Sequence, residues 1–121
     1  MRFHLKALDV FKTVYGMEHP HTASSYANIG LVYSELGEYT KAMELQLKAL
    51  AIKEKALGSE HPNTAISYFL IGEIYNCIGT YNYAMVYLNK ARLVFEKVLG
   101  TKHPYTATVL STIEDVKKKI R

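Results

Sequence analysis

The chain has 121 residues, 49% of them apolar, and a formal net charge of +4. No apolar run approaches the ~20 residues that span a bilayer, and the N-terminus lacks the hydrophobic stretch of a signal peptide. The single cysteine, Cys77, cannot close an internal disulfide. These features predict one globular chain without a membrane segment, and an intracellular, cytoplasmic location is expected.

A tandem repeat organises the sequence. The pair His-Pro, followed after one residue by Thr-Ala, occurs at His19, His61 and His103, each copy 42 residues after the last. Residues 19–58 laid over residues 61–100 give 19 identities in 40 aligned positions, where average composition gives roughly two or three. The spacing therefore indicates stacked copies of one small unit.

In chain order, the first element is half a unit. Residues 3–16 align with the back half of the repeat, so we expect a second helix over 1–16. Its apolar residues Leu5, Leu8 and Phe11 have no preceding first helix to cover them. Either the chain is a fragment of a larger repeat protein, or two chains form a homodimer through these N-terminal helices.

The first helix of each complete repeat is predicted from a 3.6-residue apolar pattern. Its positions i, i+3, i+4 and i+7 are Tyr26, Ile29, Gly30 and Tyr33, repeated as Tyr68, Ile71, Gly72 and Tyr75. Pro20 and Pro62 suit a first helical turn, and Gly37 and Gly79 suit a helix end. Each complete repeat begins with such a helix.

Second helices are expected from Tyr39 to Leu57 and from Tyr81 to Leu99. A stripe of small residues runs along them, Ala42 and Ala49 in one and Ala84 and Ala91 in the other, and it allows close approach to Gly30 and Gly72. The predicted domain plan is all-α, with about six helices in one array over 1–121. A partial repeat (1–16) precedes repeats over 19–58 and 61–100, and a capping helix over 103–121 follows.

These residues resemble the tetratricopeptide repeat, and the 42-residue spacing with the His-Pro-x-Thr-Ala junction is similar to its kinesin-light-chain-like subtype. Gln46 departs from the pattern, because a large apolar residue is expected there. The resemblance implies a helix-turn-helix solenoid. It also implies a scaffold or adaptor module that binds a peptide or helical segment of a partner protein in a concave groove.

The predicted groove is formed by residues of the first helices that lie outside the i, i+3, i+4, i+7 pattern, which we call the packing stripe. Side chains such as Phe69 offer apolar contacts there, and Asn28 and Asn76 offer hydrogen bonds. The alternative is that this face of the first helices is only solvated and binds no partner. The predicted groove consists of Ser24, Ala27, Asn28, Leu31, Ser34, Glu35, Ile66, Phe69, Leu70, Glu73, Asn76 and Cys77.

Neither catalysis nor a cofactor is expected. The repeated histidines are one unit apart, too far for one metal ion, and we expect each to hydrogen-bond in the turn before its proline. Cys77 has no orienting acid or oxyanion-forming turn. The basic C-terminal residues, Lys117 to Lys119, suit the end of a helix better than a nucleic-acid surface.

Overall fold

A computed structural model describes residues 20–120, and within this range every regular element is an α-helix. The chain divides after Gly58 into two compact units. The first contains α1 (Pro20–Glu35) and α2 (Tyr39–Leu57), and the second contains α3 (Pro62–Ile78), α4 (Tyr81–Val98) and α5 (Pro104–Ile120). The all-α prediction is confirmed, and the helix expected within residues 1–16 lies outside the described residues.

In the first unit, α1 packs along α2. Their core contains Ala23, Tyr26, Ile29 and Ala49, all buried. Lys48 on α2 places its ammonium 5.7 Å from the centre of the Tyr26 ring. The buried tyrosine is thus covered by a cation at the surface, a favourable arrangement because the ring face is electronegative.

In the second unit, α3 packs along α4, and α4 packs along α5. Tyr68 and Ile71 of α3 are buried with Leu88 and Phe95 of α4. Lys90 lies over the Tyr68 ring at 5.5 Å, as Lys48 does over Tyr26 in the first unit. The same cation and ring positions therefore recur in both units.

Helix contact in both units depends on a glycine, as the sequence predicted. A Cβ atom added to Gly30 would lie 2.8 Å from Nε2 of Gln46, and one added to Gly72 would lie 2.8 Å from Cγ of Leu88. The carbonyl oxygens of Ala42 and Ala84 lie 3.4 and 3.3 Å from the same two positions. Real Cβ atoms are not found at the shorter distances, so a larger residue at Gly72 would displace Leu88 and one at Gly30 would displace the end of the Gln46 side chain.

The turns inside each unit end the first helix in the same way. Gly37 and Gly79 have positive φ angles of 79° and 86°. The next N–H donates back to the helix, from Glu38 to the Tyr33 carbonyl and from Thr80 to the Tyr75 carbonyl, both at 2.9 Å. This left-handed glycine cap satisfies carbonyls that would otherwise have no partner.

Candidate functional site

The second unit contains an apolar cavity of about 300 Å³. Its wall is almost entirely hydrocarbon, and all three helices of the unit contribute to it. The lining residues are Ile66, Phe69 and Leu70 of α3, Phe95 of α4, and Tyr105 and Thr108 of α5. This volume is at the small end of the range for ligand sites in proteins, and an apolar lining with few polar groups is typical of them.

The side of the cavity formed by Tyr105 is fixed by the turn before α5. The Tyr105 backbone N–H donates to Nδ1 of His103 at 3.1 Å, and the two rings meet edge to face at 4.9 Å. The ring of Tyr105 also lies 5.6 Å from that of Phe95, which is 2% exposed. The buried Thr106 hydroxyl donates to the Gly100 carbonyl at 2.8 Å. The aromatic wall is therefore held before any ligand arrives.

Beyond the apolar lining, α3 carries polar groups. Glu73 is half-buried, and its burial raises the pKa of the carboxyl above its usual range. Asn76, also half-buried, accepts a hydrogen bond at Oδ1 from Nζ of Lys119, at 3.1 Å. Lys119 additionally lies 5.9 Å from the Tyr81 ring centre. The carboxyl of Glu73 thus lies about one helical turn, and the amide of Asn76 about two turns, along α3 from Phe69 and Leu70.

In the first unit, most of the predicted groove residues are accessible on α1. Leu31 has 39% of its surface exposed. Ser24, Asn28 and Glu35 are also exposed, and Ser34 is half-buried. Ala27 is different: it is 6% exposed, belongs to the core cluster, and its carbonyl accepts a hydrogen bond from Gln46. Its side chain therefore packs inside the unit and does not line an open surface.

In the second unit, the cavity brings together three of the predicted residues, Ile66, Phe69 and Leu70. Sequence reasoning did not include Phe95, Tyr105 or Thr108 in the site. Phe95 lies on the packing stripe of α4, where nothing in the pattern distinguishes a cavity wall from a core residue. Tyr105 could have been predicted from the sequence, because it is an aromatic residue in a turn.

The other predicted residues lie apart from the cavity lining. Cys77, near the end of α3, is exposed. The proposed self-association residues, Leu5, Leu8 and Phe11, lie outside the described residues.

The histidines before α3 and α5 have the structural role that the sequence indicated. Nδ1 of His61 accepts from the Asn63 N–H at 3.0 Å, as His103 does from Tyr105.

Across residues 20–120, no three side chains of His, Cys, Asp and Glu gather as metal ligands would. Nor does any described helix combine the length and the apolar character needed to cross a membrane.

The basic residues at the end of α5 contact neighbouring groups of the same unit. Lys117 lies 3.5 Å from a carboxylate oxygen of Glu114, and Lys119 makes the contacts with Asn76 and Tyr81 described above. All three lysines, Lys117 to Lys119, stand in the last helical turn, where positive charge opposes the helix dipole favourably.

Comparison with known proteins identifies the repeat. Residues 22–63 match the family model of the tetratricopeptide repeat. No curated protein sequence matches the chain. One similar crystal structure is from Podosopora anserina and is described as a kinesin light chain with nearly identical TPR-like repeats. Its TM-score is 0.88 at 22% identity, over 98% of this chain and 56% of that one.

A second similar structure is BtubC (BKLC) from P. vanneervenii, with a TM-score of 0.90 at 18% identity over 98% of this chain and 48% of that one. The chain thus spans about half the length of both structures. At these identities the likeness establishes the fold. The predicted resemblance is confirmed: residues 22–63 match the tetratricopeptide repeat, and the fold of the chain is similar to that of a kinesin light chain structure with TPR-like repeats.

Proposed function

We propose that this chain is a protein-interaction module without catalytic activity and that its second unit binds a peptide or helical segment of a partner protein. The observation that carries the proposal is the apolar cavity formed by α3, α4 and α5. Burying one large apolar side chain of a partner there stabilises the complex by about 1.5–3 kcal/mol. Such an anchor in a preformed pocket is typical of the residues that dominate binding energies.

The polar groups next to the cavity give the bound segment a direction. Glu73 lies one turn along α3 from Phe69 and Leu70, and its raised pKa shows that burial disfavours the charged carboxylate. A partner N–H or ammonium group at that place offsets this cost by supplying a hydrogen bond or an opposite charge. The bound segment therefore has an apolar anchor followed by a hydrogen-bond donor. The donor comes one turn later if the segment is helical and two residues later if it is extended. Within this proposal the protein acts in the cytoplasm.

The first unit supplies a matched substitution for testing the cavity. At the positions of Ile66, Phe69 and Leu70 it has Ser24, Ala27 and Asn28. Because one unit folds with these smaller residues on its first helix, the triple variant Ile66→Ser, Phe69→Ala, Leu70→Asn removes the apolar recess without introducing a residue foreign to the repeat.

The experiment selects peptides from a random displayed library against the unmodified chain and measures their affinity for both proteins by fluorescence anisotropy. Selected peptides are expected to share an apolar anchor, and the triple variant is expected to bind them at least tenfold more weakly, a loss of about 1.4 kcal/mol or more. Circular dichroism checks that the variant is folded. Peptides that bind both proteins equally would contradict the proposed site.

A further inference from the structure

The face of α4 opposite its buried side carries an exposed apolar stripe. Tyr83 and Leu93 each have 59% of their surface exposed, and Val86 has 50%. With the exposed Lys90 and Lys97, they occupy positions separated by three, four, three and four residues. This spacing places all five on one side of a helix. We call Tyr83, Val86, Lys90, Leu93 and Lys97 the outer stripe of α4.

The first unit shows that the fold does not require apolar residues here. The matching residues of α2, all exposed, are Lys41, Glu44, Lys48, Ala51 and Lys55. Helix α2 packs on α1 as α4 packs on α3, yet its outer side is charged in the way expected of a solvated surface. The apolar side chains of the second unit are thus not explained by the helix pair itself.

Tyr83 shows how one position of the stripe differs between the two units. Its ring stacks on Tyr75 with a centroid distance of 5.4 Å. In the first unit, Lys41 holds its ammonium 5.4 Å from the ring centre of Tyr33, the residue equivalent to Tyr75. Either side chain covers the ring below it, but only the tyrosine adds apolar surface facing outward.

We propose that the outer stripe of α4 is a second docking surface, separate from the cavity, and that it binds an acidic amphipathic helix of a partner protein. The stripe from Tyr83 to Leu93 is about 15 Å long at the helical rise per residue, which matches three turns of a second helix. Its three-four spacing is that of a coiled-coil seam, so a partner helix crosses α4 at about 20° with apolar residues at the same spacing.

Charge identifies the acidic character of the partner. Lys90, in the middle of the stripe, has its ammonium 5.5 and 5.4 Å from the ring centres of Tyr68 and Tyr87. No ion pair within residues 20–120 involves Lys90. Lys97, at the end of the stripe, lies 3.2 Å from Glu60 at an exposed site. Carboxylates on the bound helix form ion pairs with the ammonium group of Lys90.

The same lysine argues against a second copy of this chain as the occupant. Lys90 lies midway between Tyr83 and Lys97, the two ends of the stripe. A two-fold, antiparallel pair of α4 helices in full register therefore brings two Lys90 ammonium groups opposite each other. Like charges at the centre of a helix seam are a common means of rejecting a partner.

The test uses a synthetic 21-residue peptide with leucine at the two seam positions of each heptad and glutamate at the flanking positions. A second peptide with lysine in place of glutamate is the charge control. We expect the glutamate peptide to bind the full chain at least tenfold more tightly than the lysine peptide, measured by fluorescence anisotropy. Amide chemical-shift changes on the labelled chain are expected to concentrate on α4.

Two protein variants, built from the residues of the first unit, locate the binding. Tyr83→Lys with Leu93→Ala removes apolar surface while adding positive charge, and we expect at least tenfold weaker binding of the glutamate peptide. Ile66→Ser, Phe69→Ala, Leu70→Asn, which alters only the cavity, is expected to leave this binding unchanged. That pattern also separates the present inference from the cavity proposal.

Three results would overturn the inference. The first is no binding of the glutamate peptide at submillimolar concentration. The second is equal binding by the Tyr83→Lys, Leu93→Ala variant. The third is a dimer of the unmodified chain in sedimentation velocity that this variant converts to monomer, because a second copy would then be the occupant of the stripe.

Discussion

At the scale of single residues, the two units differ most in what they bury on their second helices. Gln46 of α2 is fully buried where α4 has Leu88. Its Nε2 donates to the Ala27 carbonyl at 3.0 Å, and its Oε1 is buried without a hydrogen-bond partner. A buried polar atom without a partner costs about 1–3 kcal/mol. The first unit therefore retains a polar group at a place where its sister unit has a leucine.

This difference predicts that Gln46→Leu stabilises the chain by about 1–2 kcal/mol, because it removes the unpartnered oxygen. The space is suitable, since Leu88 in the second unit comes as close to the position of a Cβ on Gly72 as Gln46 comes to that on Gly30, 2.8 Å in both cases. Urea unfolding measures the effect. Leu88→Gln is the reverse control and should destabilise. A less stable Gln46→Leu protein would show that the amide contact with Ala27 is worth more than the orphaned oxygen costs.

Lys53 is the second buried polar residue of α2, at the position of Phe95 in α4. Burial lowers the pKa of its ammonium below the ordinary value. Between the folded and unfolded pKa values, the unfolded chain binds more protons, so stability rises with pH in that interval. The cost of Lys53 is fully present below the folded pKa and declines as the pH rises from there toward the unfolded value of 10.5.

We therefore expect Lys53→Met to be more stable than the unmodified chain at pH 7 and its advantage to shrink at pH 10. The measurement is urea unfolding of the pair at the two pH values. An advantage that stays constant with pH would mean that the ammonium is not desolvated in the folded state.

At the scale of helices, the histidine-proline junction starts α3 and α5 in the same way. Pro62 stands at the first turn of α3, where its missing N–H removes a donor that would have no partner. His61 precedes it with an extended backbone, and its ring nitrogen accepts the Asn63 N–H. The imidazole thus serves as the N-cap acceptor usually supplied by Ser, Asp or Asn.

Loss of this cap gives a third prediction. His61→Ala should destabilise the chain by about 1 kcal/mol, the usual cost of removing an N-cap side chain. His61→Asn keeps an acceptor, because Oδ1 of asparagine is as many bonds from Cα as Nδ1 of histidine, and it should lose much less. Thermal unfolding of the two variants side by side measures this. Equal losses would mean that the ring contributes packing and not the hydrogen bond.

The helices themselves were largely predictable from sequence. Gly37, Gly79 and the prolines mark boundaries within one or two residues, and α2 runs over Tyr39–Leu57 as expected. The cavity was only partly predictable, because Phe95 belongs by its spacing to the packing stripe and becomes a wall only when α5 is placed beside α4. The exposure of Tyr83, Val86 and Leu93 was also hidden, since a helical pattern does not reveal which neighbour covers which side.

At the scale of the whole molecule, repetition has preserved the framework while the surfaces have diverged. The glycine contacts, the left-handed caps and the lysine-covered tyrosines are common to both units. The α3 and α4 residues of the cavity lining and the apolar residues of the outer stripe of α4 differ from their counterparts at the matching positions of the first unit. Binding specificity in such a chain is therefore expected to reside in the residues that break the repeat.

Self-association through Leu5, Leu8 and Phe11 stays a prediction for the whole chain. If these residues pair between two copies, light scattering will show a concentration-dependent dimer, and Phe11→Glu will convert it to monomer by placing an unpaired charge in the contact. Tyr83→Lys with Leu93→Ala is the control, since it alters a different surface and should leave this dimer intact. A monomeric unmodified chain at high micromolar concentration would contradict the prediction.

The tyrosine cluster of the second unit also has an optical consequence. The ring of Tyr75 lies 5.4 Å from that of Tyr83 and 5.7 Å from that of Tyr87, and Tyr87 in turn lies 6.3 Å from Tyr68. The chain has ten tyrosines and no tryptophan, so its near-ultraviolet spectrum is dominated by phenol rings. Rings stacked this closely couple their electronic transitions and add a circular dichroism contribution to that of the single rings. The second unit therefore contributes a coupled-tyrosine signal to the near-ultraviolet spectrum, and the packing of these four rings can be followed without attaching a dye.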